Sequence, residues 1–244
     1  MESKQDYRYS HSQKGYGKAY HKLFNDNPHR KYLWELEKEY LESIVSRYYK
    51  GNIESYLDFA CGTGRIIGHL ERHTKNPIGL DISKSMLEVA GSHCTMASFI
   101  QGDITRENIL ENERFDLITA FRFFLNAQQP LRSSVMKELS KRLKSGGYLV
   151  FNIHNNKTGL TNQISKIYTT LKYLKFIPRN EMSVREVKKL LHDNGLDIVE
   201  MIPYATFPVF NEEKKVNETM LRFCDKYMSN SFFSTYIIYV CRLK

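Results

Sequence analysis

Tyr56-Leu57-Asp58-Phe59-Ala60-Cys61-Gly62-Thr63-Gly64-Arg65 is the stretch on which the fold of this chain turns: an apolar run passes through a cluster of small residues into a helical pattern. Gly62 and Gly64 permit a tight turn and a close approach of backbone to ligand, where a Cβ would collide. A strand, a small-residue turn and a helix in that order aim helix-terminal N–H groups at the crevice beyond the strand ends. The G-x-G-x-x-G pattern of nicotinamide-binding turns is not met, because Ile67 stands three positions after Gly64.

Working outward, short apolar runs alternate with helical stretches, the pattern of βα units and a parallel sheet. The runs are 55–60, 77–82, 98–101, 115–120 and 148–153, with two further strands expected at 196–201 and 235–241. Helices are expected at 64–73, 83–90 and 130–144, the last carrying Leu131, Val135, Leu139 and Leu143 on one stripe. Pro130 suits a helix start and Gly146 a helix stop. Ser183 with Glu186 reads as a capping box for a helix ending near Asn194-Gly195, and another helix is expected around 216–227. Upstream, residues 1–30 are polar and weakly periodic, whereas Leu33, Leu36, Tyr40, Leu41, Ile44, Val45 and Tyr48 recur at helical spacing.

The central motif resembles the first motif of class I S-adenosyl-methionine-dependent methyltransferases, matching at Asp58, Gly62 and Gly64 and departing at Ala60, which fills the first glycine slot. The likeness continues in order. Gly79-Leu80-Asp81-Ile82 is similar to the segment whose acidic residue holds the ribose hydroxyls, and Gln101-Gly102-Asp103-Ile104 to the one whose Asp receives the adenine amino group. Phe115 to Ala120 and Leu143 to Val150 match strand four and the turn into strand five, so the resemblance covers about residues 54–154. It implies a doubly wound, Rossmann-like α/β fold: a seven-stranded, mostly parallel sheet, helices on both faces, and the last strand antiparallel. It also implies S-adenosyl-methionine as cofactor, held by Asp58, Ala60, Gly62, Gly64, Asp81, Ile82, Met86, Asp103, Ile104 and Phe121. Asp116, which opens a strand, is read as structural.

The expected organisation is an N-terminal helical extension or lid over residues 1–53, then a methyltransferase domain over 54–244. A segment at 157–180, with five Lys or Arg and no Asp or Glu, forms a basic helical insertion that acts either as a substrate lid or only as packing. Similar enzymes fold their N-terminal segment over the cofactor, which brings in Tyr16, Tyr20, His29 and Arg30; Tyr20 and Arg30 are taken as cofactor contacts. His154, directly after strand five, is the candidate base, although methyl transfer from a sulfonium needs mainly proximity and a dry site.

Absences narrow the acceptor. Phe121-Arg122-Phe123-Phe124-Leu125-Asn126 lacks the Asn/Asp-Pro-Pro-aromatic motif of enzymes acting on exocyclic amines of bases, and no cysteine stands in a Pro-Cys setting. No metal is expected: Cys61, Cys94, Cys224 and Cys241 form no zinc spacing, and His69 and His73 have no third ligand. The scattered cysteines point to a reduced, cytoplasmic chain, and the N-terminus has neither signal-peptide nor transmembrane character. The chain has 244 residues, a net charge of +9, and 13% aromatic residues. That charge favours an acidic partner without choosing one. The leading acceptor is a small molecule or glycan, with phosphorylated or lipid-linked ones included and peripheral membrane contact allowed. RNA is the second reading, and a non-catalytic binding protein the third.

Overall fold

The computed structural model describes residues 6–9, 15–174, 180–209 and 217–244. Seven strands form one sheet: β1 (Tyr56–Phe59), β2 (Pro77–Asp81), β3 (Ser98–Gln101), β4 (Phe115–Ala120), β5 (Leu143–Ile153), β6 (Leu196–Tyr204) and β7 (Tyr236–Leu243). Their order is β3-β2-β1-β4-β5-β7-β6. The first five pair in parallel, while β7 runs antiparallel between β5 and β6. The expected sheet, with its antiparallel last strand, is the one observed.

Side-chain alternation explains why helices cover both faces. On one face Leu57, Phe59, Ile118, Phe151, Ile237 and Tyr239 meet α5 (Gln129–Arg142) and α7 (Val184–His192) through Val135, Leu139, Val187 and Leu190. Their sequence neighbours Tyr56, Leu117, Val150, Ile238 and Val240 face the other way. These meet α2 (Pro28–Tyr49), α3 (Arg65–Leu70) and α8 (Glu218–Met228) through Leu33, Leu41, Ile44, Ile67 and Leu221. Helix α2 is therefore part of a core, not an appendage. It starts where Pro28 follows Asn27, whose side chain accepts a 2.9 Å bond from the Arg30 amide.

Three local features differ from the sequence expectation. A helix forms within the polar N-terminus, α1 (Tyr16–Asp26), and it packs on α4 (Lys84–Ala90) so closely that a Cβ on Gly17 would lie 2.1 Å from the Ser85 carbonyl oxygen. α5 ends at Arg142, and β5 begins at Leu143 rather than at Tyr148. The β4–β5 register jumps from Phe115↔Leu143 to Leu117↔Tyr148, and Gly147 fits the resulting bulge because a Cβ there would lie 2.8 Å from the Asp116 carbonyl oxygen. The helix expected at 64–73 is α3 followed by a 3-10 turn, Glu71–His73. The capping box on α7 forms as expected, with Ser183 and Glu186 satisfying each other's backbone N–H.

The basic segment carries α6 (Leu160–Tyr173); its residues 175–179 lie outside the described residues, as does Val216. Asp116 is structural: it accepts bonds from the amide and hydroxyl of Ser55 and from Lys144. No helix among the described residues is long and apolar enough to cross a membrane.

Candidate active site

Neighbouring strands leave β1 in opposite directions, toward β2 and toward β4, and a cleft opens at the carboxyl ends of these strands. Its floor is the turn after β1. Ala60 adopts φ 53°, Gly62 φ 58° and Gly64 φ 80°, so this turn enters the left-handed region three times. Alanine tolerates that region only at a cost of about 1 kcal/mol or more, which is why glycine suits this slot. The two glycines do different work. A Cβ on Gly62 would meet nothing within 4 Å and would project into open space at the cleft. On Gly64 (φ 80°) it would stand 2.9 Å from the Ala90 Cβ and 3.0 Å from the Cys94 sulfur, so this glycine lets α3 pack on α4 and lies off the cleft wall.

The three carboxylates expected in the site occupy unlike positions. Asp81, at the end of β2, borders the cleft with Oδ2 accepting a 2.8 Å bond from the Gly62 amide and Oδ1 a 2.8 Å bond from the Ser83 amide. Each oxygen keeps acceptor capacity for a hydroxyl on the cleft side. Burial raises its pKa, against the pull of these amides. Asp58 also borders the cleft but is 1% exposed: Thr119 Oγ1 donates to Oδ1 at 2.6 Å and the Ile67 amide to Oδ2 at 3.2 Å, tying β1 to β4 and α3. Burial lifts its pKa to about 7. Asp103 borders the cleft, but its Oδ1 accepts from the amide and hydroxyl of Thr105, and its Oδ2 faces Arg8 at 3.2 Å.

Ile82, Met86, Ile104 and Phe121 supply apolar wall, and Tyr20 reaches the cleft from α1. Arg30 and His154 are not brought into that wall. Arg30 sits on α2 with its guanidinium 5.4 Å from the Phe24 ring. His154 lies beside Tyr236, and burial, with Arg122 and Arg30 nearby, lowers its pKa to about 3. Its Nδ1 is buried without a hydrogen-bond partner among the described residues. His69 and His73 both face Glu42, at 2.8 and 3.0 Å, and among the described residues no group of three side chains stands ready for a metal ion.

The sequence matches the model of the family described as "Methyltransferase domain" over residues 51–195. The chain belongs to that family. It is a class I domain, the fold for which S-adenosyl-methionine is the methyl donor. Among curated relatives it is similar to the ubiquinone biosynthesis O-methyltransferase of Vibrio cholerae, 28% identical over half of each protein. The same enzyme of Aliivibrio fischeri is 25% identical over 65% of this chain and 71% of that protein. The chain thus spans about half the length of the first of these relatives. Among solved structures, a possible histamine N-methyltransferase of Thermotoga maritima has TM-score 0.64 at 17% identity, covering 93% of this chain and 95% of that one. The magnesium protoporphyrin IX methyltransferase of Synechocystis has TM-score 0.62 at 14% identity, covering 88% and 85%.

Within this methyltransferase domain, two groups of cleft residues had not been singled out from sequence. Tyr7 and Arg8 come from the N-terminal segment: the Tyr7 amide donates to Gln128 at 3.2 Å, its ring meets Phe123 edge-on, and Arg8 bridges Asp6 and Asp103. Nothing in their polar surroundings marks them. The second group is Arg65 and Arg122, set against a fully buried Glu37. Here a signal did exist: Glu37 falls on the apolar stripe of α2, four residues from both Leu33 and Leu41, and an acid on such a stripe needs a buried partner.

Proposed function

We propose that this methyltransferase domain binds S-adenosyl-methionine in the cleft and transfers its methyl group to an oxygen or nitrogen of a small-molecule or glycan acceptor. The observation that carries this reading is Asp81, pinned between the Gly62 and Ser83 amides at the end of β2 with acceptor capacity left toward the cleft. A carboxylate held in that way suits a vicinal diol. The open space in front of Gly62 leaves room for a ligand against the backbone, and Ile82, Met86 and Ile104 suit a purine face. Phe121 and Tyr20 flank the same space.

When bound, S-adenosyl-methionine supplies an activated methyl on a sulfonium. The chain's part is to bind, orient and dry. Gly62 and Asp81 hold one end of the cleft, Phe121 and Phe123 exclude water after β4, and α1 with Tyr20 covers it, so α1 serves as a lid and α2 as a core element. No side chain in the cleft has to act as a strong base. Arg8 occupies the Asp103 oxygen that an adenine amino group would use, so Asp103 contributes to adenine recognition through its remaining acceptor capacity.

The similarity to ubiquinone biosynthesis O-methyltransferases supports an oxygen acceptor on a small molecule. The apolar face of α6 supports a partly apolar or lipid-linked one: Ile167 and Leu171 are 61% and 69% exposed on a helix without acidic residues. Calorimetric titration with S-adenosyl-homocysteine tests the reading. We expect micromolar binding that weakens at least about tenfold in Asp81→Ala, as loss of charge-assisted hydrogen bonds requires. No binding to the wild type refutes it.

A further inference from the structure

Arg65 opens α3 and Arg122 follows β4, yet both guanidinium groups converge on one place in the cleft wall. Their carbons lie 4.0 and 4.8 Å from the centre of the Phe24 ring, and Arg65 also lies 4.7 Å from the Trp34 ring. Arg122 is set deliberately. It holds φ 60°, its amide donates to Asn152 Oδ1 at 2.7 Å, and its carbonyl accepts from Asn126 at 2.6 Å. A bulky residue adopts that backbone only where its surroundings impose it.

The charge at this place does not balance. Among the described residues Glu37 is the one carboxylate in ion-pair contact with either arginine, at 3.5 Å from Arg65 and 3.6 Å from Arg122. Glu37 Oε1 is already taken by Tyr204 at 2.8 Å and Asn152 at 3.2 Å, while Oε2, 3.5 Å from Arg65 Nη1, makes no hydrogen bond among the described residues. Arg65 Nη1 and Arg122 Nε and Nη2 are shielded from solvent without a hydrogen-bond partner among the described residues, as is His154 Nδ1. Arg30 adds a third guanidinium near the same Phe24 ring. Buried donors left open in this way are costly, and the remaining exposed surface of each side chain, 20% for Arg65 and 17% for Arg122, is where a ligand in the cleft can meet the pair.

Resting on the methyltransferase reading, we propose that Arg122 and Arg65 form an oxyanion subsite for the acceptor, which enters carrying a carboxylate or phosphate. The cofactor does not balance these charges by itself. S-adenosyl-methionine carries a carboxylate, an ammonium and a sulfonium, so it brings a net positive charge to a wall where two guanidinium groups already share one carboxylate. An anionic acceptor supplies the missing charge, and the guanidinium fork matches the two oxygens of a carboxylate or phosphate. Arg122 follows β4 and is bound through its amide to Asn152 of β5, and Arg65 opens α3 after β1, whereas Asp81 ends β2, so different elements would hold the acceptor's anionic group and the ribose.

The test uses the full chain saturated with S-adenosyl-homocysteine and titrated with benzoate, phenyl phosphate and uncharged benzyl alcohol. Benzoate or phenyl phosphate is expected to bind the loaded protein, benzyl alcohol at least tenfold more weakly, and Arg122→Gln to lose at least tenfold in anion affinity. Which anion prevails separates a carboxylate from a phosphate acceptor. Arg122→Lys is a second variant that keeps the charge, and its anion affinity should fall between wild type and Arg122→Gln. Failure of both anions to bind the loaded protein overturns the proposal. So does a tenfold loss in Arg122→Gln of S-adenosyl-homocysteine affinity without loss for 5′-methylthioadenosine, because the arginine then holds the cofactor's own carboxylate. Absence of S-adenosyl-homocysteine binding to the wild type is a different failure, that of the methyltransferase reading, and takes this proposal with it.

Discussion

Replacing Gly62 and Gly64 in turn by alanine should damage two different properties, although the residues are two positions apart and both have positive φ. At Gly62 (φ 58°) the added Cβ meets nothing in the protein, so the stability cost is only the left-handed backbone. That penalty is about 1–2 kcal/mol, offset by about 0.4–1 kcal/mol from a less flexible unfolded chain. The net loss is at most about 1.5 kcal/mol, or a melting shift of roughly 6 °C or less for a chain of this size. At Gly64 (φ 80°) the same backbone term applies, and the Cβ also strikes Ala90 at 2.9 Å and Cys94 at 3.0 Å. Overpacking adds about 1–3 kcal/mol, for a total of up to about 4.5 kcal/mol. Cofactor affinity should reverse the ranking: the Gly62→Ala methyl occupies the cleft, whereas the Gly64→Ala methyl lies between helices. Thermal denaturation and calorimetry with S-adenosyl-homocysteine give both numbers for each variant. A Gly62→Ala protein that binds like wild type, or a Gly64→Ala protein no less stable than Gly62→Ala, would refute this assignment of the two glycines.

Asp58 and Glu37 provide two further checks. Burial raises Asp58 from an ordinary 3.8 to about 7, so its folded form prefers the proton that the unfolded chain releases. Its contribution to stability is complete below pH 3.8 and is lost as pH rises toward 7, at about 1.4 kcal/mol per pH unit within that window. Urea midpoints at pH 5 and pH 8 should therefore differ less in Asp58→Asn than in wild type; an equal pH dependence contradicts the elevated pKa. Glu37→Gln keeps an acceptor for Tyr204 and Asn152 but strips Arg65 and Arg122 of their shared counter-ion. Breaking a buried pair in this way costs on the order of 3 kcal/mol, so a denaturation midpoint unchanged from wild type would show that Glu37 does not neutralise them.

The strands and the two faces of the sheet were legible because their causes are local, whereas the order β3-β2-β1-β4-β5-β7-β6 came from the structure. Alternating side chains on β1, β4 and β5 divide between two helix-covered faces, and each small-residue turn follows its strand directly in the chain. Asp81 was singled out by the family resemblance of its segment, and the structure has it at the end of β2 with its partners Gly62 and Ser83 in the turns after β1 and β2. The helix α1 was not, because its residues are polar and its position depends on Gly17 meeting Ser85.

What the sequence alone determined is therefore the fold class, the turn after β1 and the carboxylate at the end of β2, all set by residues near one another in the chain. Only the tertiary structure decided which way each side chain works. It tied Asp58 to Thr119 and Ile67, placed Gly64 and His154 off the cleft wall, and gathered Glu37, Arg65 and Arg122 from three separate elements. The physical reason is that burial and charge balance are properties of what surrounds a side chain, and those surroundings come from segments far apart in sequence.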